Sequence, residues 1–260
     1  MRKEPLLSLP LASEASSVAA HAFPVSPWSG GDASRAVPGH DRWHPEIPAV
    51  AEVITGGSIR MECQGREPGA DAVLCGPVVV VGAEPGDVIV VDVIGVGRSD
   101  GVYAATGHPG VIGCAPDAAM LKAAAAAAPQ DEPVSDLDSE VWRLDTGAPG
   151  ILLGHVEEGS AEYRRIAAEA VRSEARGRQV GGCGIAPLTP GSRVLLPVHV
   201  RGAKLSVGDL HFPASGADDC RLAAKAGWID LRVHLTRRGV ERFRVNGPML
   251  MPDPGPLAGR

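Results

Sequence analysis

One segment of this chain is written twice. Pro77–Ala83 (PVVVVGA) returns as Pro197–Ala203 (PVHVRGA), 120 residues later. Each copy runs into a turn and a Gly-Asp pair, Gly86-Asp87 in the first and Gly208-Asp209 in the second, and the second turn is two residues longer. Upstream, Gly57–Arg60 and Gly191–Val194 also correspond. A unit with one apolar face cannot bury that face alone, so two related units in one chain pack on each other. The duplication predicts a single β-rich domain over residues 46–247 with pseudo-twofold character, its copies at about 50–95 and 190–235.

The local patterns agree with strands. Ser58–Glu62 alternates polar and apolar residues, as a half-buried strand does. Pro77–Val81 and Val88–Ile94 are continuous and β-branched, which suits buried strands. Glu84–Asp87 (EPGD) reads as a turn, with Pro presetting φ and Gly accepting a positive one. Arg193–Val200 and Trp228–Leu235 carry strand patterning again. Between the copies the period changes, which predicts a helical insertion over 115–178. Asp117 is placed to cap a helix running to Ala128, with Pro129 ending it. Glu157–Arg178 alternates Glu and Arg among alanines at spacings that allow i,i+4 pairs, a solvated helix. Residues 1–45 read as an irregular arm and 248–260 as an irregular tail. The fold class expected is α+β, predominantly β: a duplicated sandwich or barrel-like scaffold with a helical insertion.

Composition narrows the function. The net charge of -6 gives no electrostatic reason to expect nucleic acid or an anionic membrane as partner. No apolar run has the length of a membrane span. The start, with Arg2, Lys3 and an apolar stretch, imitates a signal peptide, but Pro5, Pro10 and Glu14 interrupt it. The five cysteines (Cys63, Cys75, Cys114, Cys183 and Cys220) are odd in number and lack CxxC spacing, so neither a disulfide framework nor a zinc ribbon is supported. Reduced thiols and a cytoplasmic setting follow as expectations. There is no GxGxxG after a strand, no phosphate-binding loop and no GxSxG elbow, which disfavours a nucleotide cofactor and the α/β-hydrolases.

The repeat offers an internal comparison. Counted from Gly-Asp, Ile89 of the first copy matches His211 of the second. A place that packs as Ile does not need His for the fold, whereas a general base or metal ligand does. Asp209 lies two residues before His211, on the same strand face. Asp87 indicates that Gly-Asp also serves as a turn device, so a purely structural Asp209 stays open beside a catalytic one. His40, Trp43 and His44 fall in HDRWHP, read as a loop at a pocket rim or an exposed loop without function. His108, Gly110 and Cys114 fall in HPGVIGC, and Cys183 in another Gly-rich stretch. Backbone N–H groups in the first could steady a carbonyl oxygen, or the segment could be a tight connection to the following helix.

Taken in order, HDRWHPEIPAV, GPVVVVGAEPGDVIVVDV, HPGVIGCAPD, GSRVLLPVHVRGAKLSVGDLHF and AGWIDLRVHL resemble the acetamidase/formamidase family, over roughly half the chain and nearly all of its β regions. The resemblance implies a duplicated β-rich fold and hydrolysis of a C–N bond in a small or medium amide. It implies His211 and Asp209 as acid–base residues or ligands of a divalent metal, zinc or calcium, with a metal-free site the alternative. His40, Trp43, His44, His108, Gly110, Cys114 and Cys183 would line the substrate pocket. A small-molecule substrate and a homo-oligomer, a dimer, are expected. The chain also departs from the family. Gly182, Cys183 and Gly184 stand where a Gly-Gly-Asn-x-Asp loop is usual, and Ala214–Asp218 where a Gln-Gly-Asp-Gly-Glu loop is usual. In each loop the missing groups are carboxylates and amides that bind metal or activate water. Two alternatives to amide hydrolysis follow: a metal-independent lyase, cyclase or isomerase of specialised metabolism, and a non-catalytic paralogue.

Overall fold

A computed structural model describes residues 24–25, 38–66, 71–104, 107–127, 150–173, 188–212 and 224–251. Two sheets face each other. The larger is built from β1 (Pro24–Val25), β4 (Ser58–Cys63), β11 (Gly227–Thr236), β6 (Val88–Arg98), β9 (Arg193–Pro197) and β12 (Met249–Met251), in that spatial order. The smaller is ordered β3 (Ala51–Val53), β5 (Leu74–Val80), β10 (Leu205–His211), β7 (His108–Cys114). A third ribbon pairs β2 (Arg42–Trp43) with β8 (Val171–Arg172).

The core lies between the two sheets. Met61, Val78, Ile89, Val91, Leu196, Leu205, Val207, Ile229 and Leu231 meet there, each buried. On the larger sheet, β4 and β11 bury every second residue, which is the alternation read from Ser58–Glu62. The smaller sheet is covered on both sides. Trp43, Ala72, Leu74 and Val111 form a second cluster, and Ile47, Leu153 and Ile166 a third. Double coverage is why β5 and β10 are buried almost throughout and read as continuous runs.

The duplicated segment exchanges its strands between the sheets. In the first copy β5 lies in the smaller sheet and β6 in the larger; in the second, β9 lies in the larger and β10 in the smaller. Each copy then pairs with the other: β5 with β10, and β6 with β9. Gly82 (φ 80°) and Gly202 (φ 78°) open the two turns in the same left-handed conformation, as the repeat requires.

After those glycines the copies diverge. The first follows the EPGD turn: Gly86 sits at φ 91° and Asp87 N donates to Glu84 O at 3.0 Å, so β6 starts at Val88. In the second, Ala203 and Lys204 both turn left-handed and β10 starts at once, at Leu205. Ile89 is consequently the second residue of β6, whereas His211 is the last of β10. The sequence offset therefore does not place them at equivalent strand positions. Ser206 is the second residue of β10.

The insertion supplies α1 (Ala118–Ala127) and α2 (Ala161–Glu169). Asp117 caps the first as expected, its Oδ1 accepting from Met120 N at 2.8 Å. The second is shorter than the Glu/Arg pattern suggests. Ser160 caps it through Tyr163 N at 2.9 Å, and it gives way to β8 at Val171. The HPGVIGC segment is a strand, β7, at the edge of the smaller sheet, rather than a glycine-rich loop. A short α3 (Gly239–Phe243) follows β11.

Candidate active site

β10 carries the site because its alternation breaks. Leu205 and Val207 point into the inter-sheet core, and strict period two would send Asp209 after them. Leu210 takes that place instead. Asp209 itself adopts φ 59°, an unusual value for a side-chain-bearing residue within a strand. The break leaves Asp209 beside His211, the final residue of the strand.

Four groups meet around this carboxylate. Arg66 Nε donates to Asp209 Oδ1 at 2.7 Å. His211 Nε2 lies 3.1 Å from Asp209 Oδ2. An ionised carboxylate only accepts, so Nε2 carries the proton and the tautomer of His211 is set. His108, across the ladder from His211, stacks on it with ring centroids 5.6 Å apart and planes 27° apart. Gly110 supplies the space: a Cβ there would overlap Asp209 Oδ2 and stand 3.0 Å from His211 Nε2.

The electrostatics follow from these contacts. Burial works against the charged form of Asp209. The hydrogen bonds and charges of His211 and Arg66 outweigh it, so its pKa lies below the ordinary carboxylate value. Burial lowers the pKa of His108, and the neighbouring His211 adds to the lowering. The Pro109 carbonyl, 3.1 Å from His108 Nδ1, and Asp209 pull the other way.

A cavity of about 280 Å³ is lined by Glu62, Cys63, Gln64, Gly65, Ser99 and Ala226. From its wall at Gly65 the chain passes directly into Arg66. Arg66 is the residue that sequence reading missed. It follows strand β4, and nothing local marks it as the partner of a residue so far along the chain.

The other expected site residues fall elsewhere. His40 is 1% exposed, inside the fold rather than at a pocket rim. Its Nδ1 lies 2.6 Å from the carbonyl oxygen of Arg42, so it donates there, and Nε2 accepts from Ser206 Oγ at 2.9 Å. Burial holds the pKa of His40 down at about 4, against the raising effect of the Arg42 carbonyl, so the ring is neutral. Ser206 and His40 thus have the connectivity of a nucleophile and its base, but Ser206 is fully buried. Trp43 donates Nε1 to Ser173 O at 2.9 Å and packs in the second apolar cluster. His44 is buried, with Nε2 3.4 Å from Glu169 Oε2 and Nδ1 accepting from Glu46 N at 3.2 Å. Cys114 ends β7 at the far end from His108, where with Trp43, Gly113 and His199 it borders a small void of about 30 Å³. Cys183, Gly182 and Gly184, like Ala214–Asp218, lie outside the described residues.

A divalent metal does not fit the described residues. Both Asp209 oxygens are engaged, Oδ1 by the Arg66 guanidinium and Oδ2 by His211 Nε2, which leaves His211 Nδ1 as the one nitrogen of the pair able to ligate. Among the described residues no cluster of three or more His, Cys, Asp or Glu side chains is arranged to hold a metal ion.

The sequence profile of the Acetamidase/Formamidase family matches residues 31–102 and 100–257. The chain belongs to that family. It is 30% identical to an acetamidase of Mycolicibacterium smegmatis, over 84% of this chain and 71% of the relative. It is 29% identical to a formamidase of Methylophilus methylotrophus, over 83% of this chain and 68% of the relative. Among solved structures, a gamma lactamase from Delftia acidovorans matches with a TM-score of 0.69 at 25% identity, over 89% of this chain and 72% of that one. As in the acetamidase/formamidase reading of the sequence, the fold is α+β and mainly β. Among the described residues no helix is long and apolar enough to cross a membrane.

Proposed function

We propose that this protein is an amide hydrolase that cleaves the C–N bond of a small amide, with His211 as its general base. The reaction class follows the named relatives, the formamidase and acetamidase above, and hydrolysis of C–N bonds other than peptide bonds is the enzyme class they support. The observation that carries the assignment of roles is the His211–Asp209 bond, made at a strand end where Asp209 is left-handed. With Nε2 protonated toward Asp209, the lone pair of His211 is on Nδ1. That nitrogen takes a proton from water as the water oxygen bonds to the amide carbon. It returns the proton to the amide nitrogen as the C–N bond breaks, releasing the acid and ammonia or an amine. Asp209 holds the ring's tautomer and orientation throughout. Among the described strands β7 lies at the edge of the smaller sheet, which suits a backbone N–H contact to the carbonyl oxygen.

The cavity that Gly65 lines next to Arg66, about 280 Å³, falls just below the ~300–1,000 Å³ usual for small-molecule sites, which favours a compact substrate. The likeness to a gamma lactamase puts a cyclic amide beside open-chain ones. The relatives give no support to the non-hydrolytic and non-catalytic alternatives. A cytoplasmic setting and a homo-oligomeric state belong to the same proposal. Cys63, buried and unbridged, suits the first, and the sheet edges suit the second.

The deciding assay measures ammonia release from formamide and acetamide, and ring opening of a γ-lactam, by wild type and His211→Ala. Turnover of at least one amide, lost in the variant, is expected. Full turnover by His211→Ala would remove the role given to His211.

A further inference from the structure

We infer that Arg66 occupies the part a divalent cation would play at this site: its guanidinium is the positive charge that holds Asp209 and thereby positions His211. For its activity readouts the inference rests on the hydrolase reading above; for its binding readouts it does not.

Three observations carry it. The first is the contact itself. Arg66 Nε meets Asp209 Oδ1 at 2.7 Å, with the two side chains only 15% and 10% exposed. A hard cation coordinates carboxylate oxygen at about 2.0–2.6 Å, so it would compete for the same oxygen against a fixed positive charge. The guanidinium does not lose its charge at any working pH, which separates it from a lysine or histidine partner.

The second is that Arg66 is held in place. Its own N–H donates to Ala224 O at 2.9 Å. The preceding Gly65 lies so close to the approach to β11 that a Cβ would meet Ala226 N at 3.0 Å and Ala224 O at 3.1 Å. The loop is pressed onto the end of the sandwich and delivers the side chain to Asp209.

The third is the strain at Asp209. A left-handed residue within a strand persists only where its surroundings over-determine it. Here two bonds from opposite sides do so, from Arg66 to Oδ1 and from His211 to Oδ2. Without the first, Asp209 can return to an extended conformation and carry its grip on His211 with it. Arg66 is therefore a positioning residue, and it cannot substitute for a metal as a Lewis acid toward water. The proton abstraction falls to His211 alone.

The test uses the full-length protein, purified without added metal, as wild type, Arg66→Gln and Arg66→Lys, with folding checked by circular dichroism. Elemental analysis of wild type is expected to find no stoichiometric zinc or calcium, and its turnover is expected to survive chelation. Arg66→Gln should lose about 100-fold in kcat with little change in KM, the size associated with a misplacement of roughly 1 Å. Arg66→Lys should recover part of that loss. Zinc titrated calorimetrically should bind Arg66→Gln at least about tenfold more tightly than wild type, because the repelling charge is gone. Stoichiometric metal in wild type, turnover that chelation abolishes and metal restores, or wild-type kcat in Arg66→Gln overturns the inference. If no amide is turned over, the hydrolase reading fails by itself and the zinc titration decides this one: equal zinc affinity in wild type and variant sinks it.

Discussion

Gly110 faces Asp209 across the β7–β10 ladder with no room for a methyl group between them. A Cβ would run into Asp209 Oδ2 and stand 3.0 Å from His211 Nε2. Gly110→Ala must therefore push the acid–base pair aside or be pushed itself. A displacement near 1 Å lowers kcat by about 100-fold, and steady-state kinetics on whichever amide is turned over measures it. A far-ultraviolet spectrum like that of wild type would locate the defect in the site rather than in the sheet.

Asp209→Asn keeps the size of the side chain and removes its charge. The amide can offer an N–H to His211 Nε2, which favours the wrong tautomer. Turnover should fall by about 10²–10⁴, the range for loss of a positioned acid–base group. Unchanged kcat would mean that Asp209 is a strand-end device, as Asp87 is in the other copy, where it accepts from Glu84 N, Arg238 N and Arg237 Nη1.

The same carboxylate links stability to acid. Its folded pKa lies below the ordinary value because His211 and Arg66 overcome the effect of burial. A depressed folded pKa contributes stability that is present above the unfolded pKa and lost as pH falls through the folded one. Melting temperatures of wild type and Asp209→Asn should therefore converge on the acid side of the usual carboxylate range. A gap that stays constant with pH would sink this linkage.

His40 acts in a higher window. Its folded pKa is about 4 and its ordinary one 6.5. Between those values the unfolded chain takes up a proton that the native ring refuses, so stability falls as pH drops from 6.5 toward 4. The difference is worth about 3 kcal/mol at about 1.4 kcal/mol per pH unit. Urea denaturation across this window should show that slope in wild type and a flatter one in His40→Gln.

Ser206 tests whether the His40 pair is chemistry or scaffold. Buried at the second position of β10, it gives His40 Nε2 its hydrogen bond. Ser206→Ala should cost about 1–3 kcal/mol, since a buried acceptor is left unsatisfied, and leave kcat as it was. Loss of turnover with stability intact would instead make Ser206 a nucleophile.

Sequence patterning exposed the scaffold well, because each strand announces how it is covered. Ser58–Glu62 alternates because one face of β4 meets water; Pro77–Val81 does not because β5 is covered on both sides. The repeat was legible too, down to Gly82 and Gly202. The site was legible only in part. His211, Asp209, His108 and Gly110, each singled out in the sequence, share one strand pair. The pairing of Ile89 with His211 misjudged two turns of different length, since β10 starts sooner after its glycine than β6 does. Arg66 was missed because a hydrogen bond spanning 143 residues leaves no periodic trace. His40 and Trp43 looked like rim residues because polar and aromatic loop residues are usually exposed, but the insertion folds over them.

The exchange of strands between copies bears on how the chain comes to be folded at all. β5 waits for β10, β6 for β9, and β4 for β11, partners more than 100 residues away in every case. The smaller sheet cannot close until synthesis has reached His211, nor the larger until it has reached Met251, so the native state should be reached slowly, and half a chain should have no refuge. Length between the copies is cheap by comparison. Doubling a flexible connection adds only about 0.6 kcal/mol of closure entropy. The middle of this fold is thus the place where chain can be gained or shed while the two copies continue to hold each other.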